Sequence, residues 1–219
     1  MKRKIMFALI FAAFAAGGIF AQVPPVRFSV GGGALFDFDR GGVHGGVYTP
    51  ENFIGTSNAG FGGWLFADAT FAELSVAFMG GPSSLVWRDG GISGTNRLGD
   101  FFAINIGLLG KFPFAFRGGN VFVFPLLGAG YNIVVFERGV CGTDTFQYLD
   151  ANAAEELSSF RIKTGIGGDF AIRGNLFIRA SVLGFFRFGS RWERELAGSI
   201  DGSARGFGGT AKVGVGFRF

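Results

Sequence analysis

The last nine residues, Ala211-Lys-Val-Gly-Val-Gly-Phe-Arg-Phe219, constrain the fold of this chain more than any other stretch. In an extended strand Ala211, Val213, Val215, Phe217 and Phe219 share one face, and Lys212, Gly214, Gly216 and Arg218 share the other. Such a strand divides an apolar medium from a tight polar space. Seven further segments repeat the period of two, at about 26–38, 58–69, 71–80, 101–112, 121–135, 160–172 and 176–188.

The sixth segment is the cleanest. Phe160, Ile162, Ile166, Phe170 and Ile172 face one way, and Arg161, Lys163 and Asp169 face the other. In the first, Phe28, Val30, Ala34, Phe36 and Phe38 oppose Arg27, Ser29 and Asp37; in the seventh, Leu176, Ile178, Ala180, Val182 and Phe186 oppose Arg179, Ser181 and Arg187. The glycine-rich second segment has no clear facing. A basic side chain at a lipid-facing midplane costs about 2–4 kcal/mol, so the charged face is the lumen and the apolar face meets lipid. A soluble barrel would point its apolar residues inward instead.

Connections alternate in length. Those after the second, fourth and sixth segments are short (about 70, 113–120 and 173–175), and the others run to roughly 16–24 residues. The expected fold is therefore all-β: an eight-stranded antiparallel up-and-down transmembrane β-barrel, with short periplasmic turns and long extracellular loops. Both termini are then periplasmic. A three-residue turn at 173–175 pairs Ile172 with Leu176 and sets Asp169 opposite Arg179.

Residues 1–21 read as a cleaved secretory signal, with Lys2, Arg3 and Lys4 ahead of an apolar run too short to span a bilayer; residues 22–219 form the barrel. Without the signal the chain carries 17 basic and 16 acidic residues, so its basicity is no evidence for nucleic-acid binding. Forty glycines beside 30 phenylalanines fit closely packed, bent strands and not a disordered chain, which would lack aromatics. The single Cys141 excludes an internal disulfide.

The candidate lumen residues are Glu73, Lys111, Arg161, Lys163, Asp169, Arg179 and Lys212, joined by Arg27, Asp37, Arg187 and Arg218. They read as ion pairs filling the interior, with a positive excess that would favour anions if a path were open. Phe71, Phe122, Phe124 and Phe177 read as an inward plug near the periplasmic end, and Tyr131 and Trp64 as interfacial aromatics. His44, in the first long connection, with Ser83, Ser84, Asp89 and Ser93 in the second, is the one constellation compatible with nucleophilic or general-base chemistry; a solvated histidine is the favoured reading. Asn152-Ala-Ala-Glu155 reads as a capping box opening a short surface helix. No catalytic residue, metal site or cofactor is expected.

The signal, the eight segments and the terminal Val-Gly-Val-Gly-Phe-Arg-Phe219 together resemble the small outer-membrane barrels of the OmpA-transmembrane, OmpX and OmpW type. That resemblance implies an outer-membrane location, with Val215, Phe217 and Phe219 as a signal read by the barrel-assembly machinery. It further implies outer-membrane lipid as surroundings, and a structural role or contact with an extracellular ligand through the loops. The alternatives are a narrow channel for small apolar or anionic solutes and, more remotely, an enzyme modifying lipid A.

Overall fold

The computed structural model describes residues 26–45, 53–89, 92–138, 147–148, 157–198 and 202–219. Eight long strands make the wall: β1 (Phe28–Gly45), β2 (Phe53–Ala69), β3 (Ala72–Asp89), β4 (Ile92–Lys111), β6 (Val121–Arg138), β8 (Ser159–Arg173), β9 (Leu176–Phe188) and β10 (Gly202–Arg218). Each pairs antiparallel with the next, β4 pairs with β6, and β10 pairs with β1, which closes the ring. Two short strands, β5 (Phe114–Phe116) and β7 (Gln147–Tyr148), attach to β6. A helix, α1 (Arg191–Gly198), lies between β9 and β10. The predicted signal, residues 1–21, lies outside the described residues, as do Cys141 and the 152–155 capping box.

The period of two fixes the sidedness. Along β9, burial alternates without a break from Leu176 to Phe188. Outward Val182, Leu108 and Leu65 are 62%, 61% and 60% exposed, while inward Arg179 is 1% exposed. A wall that is apolar outside and charged inside is stable only where the outside meets hydrocarbon. Phenylalanine supplies the aromatic girdle. At the end bearing the long connections, Phe188 lies 5.9 Å from Phe160 and 5.3 Å from Phe186; at the other end Phe217 and Phe219 lie 5.3 Å apart.

Both ends of the described chain lie at one rim, where the Phe219 N–H donates to the Phe28 carbonyl at 2.8 Å. The β2–β3, β4–β6 and β8–β9 connections are at this rim too, which is called the terminal rim below. At the other, the loop rim, the long connection predicted after the third strand shrinks to two residues, because β3 and β4 pair on to Asp89 and Ile92.

Several local expectations are corrected. Strands run on at the loop rim beyond the predicted ends. About 9–11 residues cross a bilayer, so strands of 17–20 residues stand above it. Ser83 and Ser84 accordingly belong to β3, and Ser93 to β4. His44 belongs to β1, its backbone paired with Ser203, so a strand does fix that position. The 173–175 turn is tighter than predicted: Arg173 pairs with Leu176, Gly174 turns at φ 56°, and Ile172 is an extra bulged residue. The bulge absorbs the shift, so Asp169 still pairs with Arg179. Trp64 is no interfacial residue. It falls on the inward face of β2 and is 1% exposed, whereas Phe71, in the β2–β3 turn, is 42% exposed and outside the plug.

Glycine and phenylalanine are coupled by register. Phe66 faces Gly31, Phe124 faces Gly167, Phe177 faces Gly216 and Phe185 faces Gly208, each pair directly across neighbouring strands. A methyl group on any of these glycines would come within 2.3–2.6 Å of the ring opposite. The ring tips sit over bare backbone, which lets four phenylalanines fit in a lumen this narrow.

Candidate functional site: the charged lumen

An eight-stranded barrel leaves just enough interior for side chains to fill. Here the filling is in tiers, each built where the inward positions of several strands come level.

The tier at the terminal rim centres on Arg179 of β9. Its Nε and Nη2 donate to the two oxygens of Asp169 at 2.7 Å each, and its Nη1 donates to Glu73 Oε2 at 2.9 Å and to Asp68 Oδ2. Asp68 also accepts from Lys111 Nζ and Ser29 Oγ, both at 2.6 Å, and Asp169 accepts from Arg218 at 3.1 Å. Aromatic faces close the remaining sides: the Arg179 guanidinium is 4.2 Å from the Phe66 centroid, Arg218 is 4.8 Å from Phe122, and Lys111 is 4.9 Å from Phe124. Every cation thus has carboxylate in reach and an aromatic face beside it, the arrangement that offsets the desolvation of buried charge. The opening beneath, between Arg27, Thr70, Pro113 and Arg218, has a volume of about 30 Å³, room for a water or two.

The middle tier is less saturated. Lys163 Nζ donates to Asn105 Oδ1, and Lys212 Nζ lies 4.7 Å over the Trp64 ring. Leu35, Met79, Phe101 and Ala103 pack with Trp64 as an apolar cluster on the β1–β4 side.

The tier at the loop rim joins Arg161 of β8 to Asp37 at 3.0 Å and Asp39 at 2.9 Å, and Arg187 of β9 to Glu193 of α1 at 2.9 Å. Thr210 Oγ1 donates to Asp37, and Arg161 lies 4.3 Å over the Phe185 ring.

All seven residues singled out from sequence (Glu73, Lys111, Arg161, Lys163, Asp169, Arg179, Lys212) are inside, none more than 6% exposed. The structure brings Glu73, Lys111, Asp169 and Arg179 together, puts Arg161 in the opposite tier, and leaves Lys163 and Lys212 between. Val215, Phe217 and Phe219 face outward.

The predicted positive excess shrinks to bases nearer the rim, such as Arg218 on Asp169. Asp39, Asp68 and Glu193 escaped the sequence reading, and with them six buried acids match six buried bases among the described residues. Asp39 extends the Leu35-Asp37-Asp39 alternation one step past the predicted end of its strand. Asp68 was hidden by the ambiguous glycine-rich segment. Glu193 had a readable signal, since Ser190-Arg-Trp-Glu193 is a capping box: Ser190 N–H donates to Glu193 Oε2 at 2.9 Å, and Glu193 N–H donates to Ser190 Oγ at 3.4 Å. Of the His44 constellation, the side chains of His44 and Asp89 lie outside the described ones, and Ser83 Oγ donates to Asn58 Oδ1 at 2.7 Å.

No protein-family model matches the chain, and no curated protein matches it. Solved structures do. The outer membrane protein OprG from Pseudomonas aeruginosa is 13% identical, over 88% of this chain and 95% of that one, with a TM-score of 0.46. Ail, the attachment invasion locus protein of Yersinia pestis, is 16% identical over 89% and 97%, with a TM-score of 0.37. The N-terminal β-barrel domain of OprF from Pseudomonas aeruginosa is 12% identical over 86% and 99%, with a TM-score of 0.36. The barrel itself is defined by the closed ring of strand registers in this chain.

Proposed function

We propose that this chain is an integral outer-membrane β-barrel protein, closed at rest, that serves the envelope as a structural element and through contacts made at its loop rim, without a catalytic step. The observation that carries this reading is the pairing of an outward apolar wall with a lumen filled tier by tier with ion pairs and rings. The wall calls for lipid on all sides, and the filling leaves no solute-sized passage at the terminal tier. The terminal rim is then periplasmic and the loop rim external, where an extracellular ligand would be met. Val215, Phe217 and Phe219 present the apolar edge that the barrel-assembly machinery would read.

Single-channel recording in a planar bilayer tests the closed state. Background conductance alone is expected. Reproducible discrete openings would instead favour the narrow channel, and their reversal potential would show whether anions are preferred. Orientation is checked separately on whole cells: external protease is expected to cut only within the connections of the loop rim.

A further inference from the structure

α1 follows β9 by two residues and packs against β10 and β1. Its first turn is sewn to the barrel mouth. Ser190, Glu193 and Ala197 are 3%, 2% and 3% exposed, while Arg191, Arg194 and Glu195 face outward. Glu193 makes two attachments at once: Oε2 caps its own helix through Ser190, and Oε1 accepts from Arg187 Nη2 at 2.9 Å. The mouth is cut to fit that guanidinium. A methyl group on Gly41 would come within 1.9 Å of Arg187, and one on Gly206 within 3.0 Å. Val43, two residues from the end of β1 on the strand that α1 packs against, is 1% exposed.

The network under the helix is incompletely satisfied. Asp39 Oδ1, Arg161 Nε and Arg187 Nε are all buried without a hydrogen-bond partner, although Arg187 Nε and Asp39 Oδ1 approach to 3.3 Å. The terminal tier has no such orphans among the described residues. A half-satisfied polar network in a low-dielectric space costs free energy that hydration would relieve. The two ends of the lumen are therefore built differently, one fully hydrogen-bonded and the other holding three buried polar atoms short of a hydrogen bond, two of them facing each other as an ion pair.

We propose that α1 is a lid on the external mouth of the lumen, held shut by the Glu193–Arg187 ion pair and poised to open. Lifting it lets water reach Asp39, Arg161 and Arg187 and exposes the upper lumen, while the Arg179 tier stays closed. The barrel thereby gains a water-filled external vestibule whose access is set by one carboxylate.

The test uses the folded barrel in vesicles, with Cys141→Ser removing the native thiol and Val43→Cys placing one under the lid. The readout is its rate of reaction with a membrane-impermeant methanethiosulfonate reagent. Glu193→Gln is expected to raise that rate at least tenfold, and Ser190→Ala, which removes the hydroxyl on the other carboxylate oxygen of Glu193 and leaves both charges in place, to raise it less. Heat-modifiable migration on gels confirms an intact barrel. Rates unchanged in both variants, or an introduced thiol already fully reactive in the parent, would overturn the lid. If Glu193→Gln does not fold, Ser190→Ala decides alone: a faster rate supports the lid and an unchanged one refutes it.

Discussion

Arg179 is the residue whose loss the lumen should tolerate least, and Glu73 shows why. Arg179 holds three carboxylates, but two have other partners: Asp68 keeps Lys111 and Ser29, and Asp169 keeps Arg218. Glu73 has only Arg179 as a hydrogen-bond partner among the described residues, with Lys212 acting on it through space, and it is 3% exposed. Arg179→Met keeps much of the volume and removes the charge, so it leaves one buried carboxylate without a hydrogen-bond partner and weakens two. Breaking a buried pair from one side costs about 3–5 kcal/mol, because the remaining charge is left uncompensated. Glu73→Gln alone costs less, about 1.5–3 kcal/mol, the share of one charge-assisted hydrogen bond. In the double variant the stranded charge is gone, so its cost should fall short of the sum by about 1–3 kcal/mol. The assay is equilibrium unfolding in urea of the barrel refolded into lipid vesicles, followed by tryptophan fluorescence. A loss below about 1 kcal/mol for Arg179→Met, or an additive cycle, would refute the argument that the terminal tier is a compensated charge cluster.

Three other outcomes follow from the geometry. Gly167→Ala sets a methyl group 2.4 Å from the Phe124 ring and should cost about 1–3 kcal/mol in the same assay, with Phe124→Leu recovering part of the loss. Val182→Arg, at an outward position 62% exposed, should cost about 2–4 kcal/mol in a bilayer, and no such loss would place the wall away from the hydrocarbon. Ser190→Ala should weaken α1 by about 0.5–2 kcal/mol, read as faster amide exchange in residues 191–198 with exchange in β9 unchanged.

How legible this molecule was depended on whether a feature was periodic. Alternation in 160–172 and 176–188 predicted facing and the Asp169–Arg179 pair, because one face of each strand is uniformly apolar and lipid penalises any slip. The pair survived an error in the turn, since a bulge at Ile172 compensated for one fewer loop residue. Segment 58–69 was opaque because its glycines carry no facing information of their own; their meaning lies on neighbouring strands. Trp64 and Phe66 therefore looked interfacial or unplaced, although both are buried and stack 4.8 Å apart. Strand ends at the loop rim were also missed, because above the bilayer the outward face has no need to be apolar and the alternation fades. The charge balance depended on those same hidden places, which is why the lumen looked more basic than it is.

The seam between β1 and β10 carries a kinetic consequence. Its register runs from Ser29 with Arg218 to Gly45 with Gly202, so it joins nearly the first described residue to nearly the last. Contacts so distant along the chain give no return until almost every intervening residue is ordered, which makes topologies of this kind intrinsically slow to fold. Until the seam zips, β1 and β10 are both open edges, each a full strand long and ready to template a wrong neighbour. The chain therefore has no safe partly built form. An escort would guard those edges until the final strand arrives, and truncating either end should yield aggregation instead of a smaller barrel.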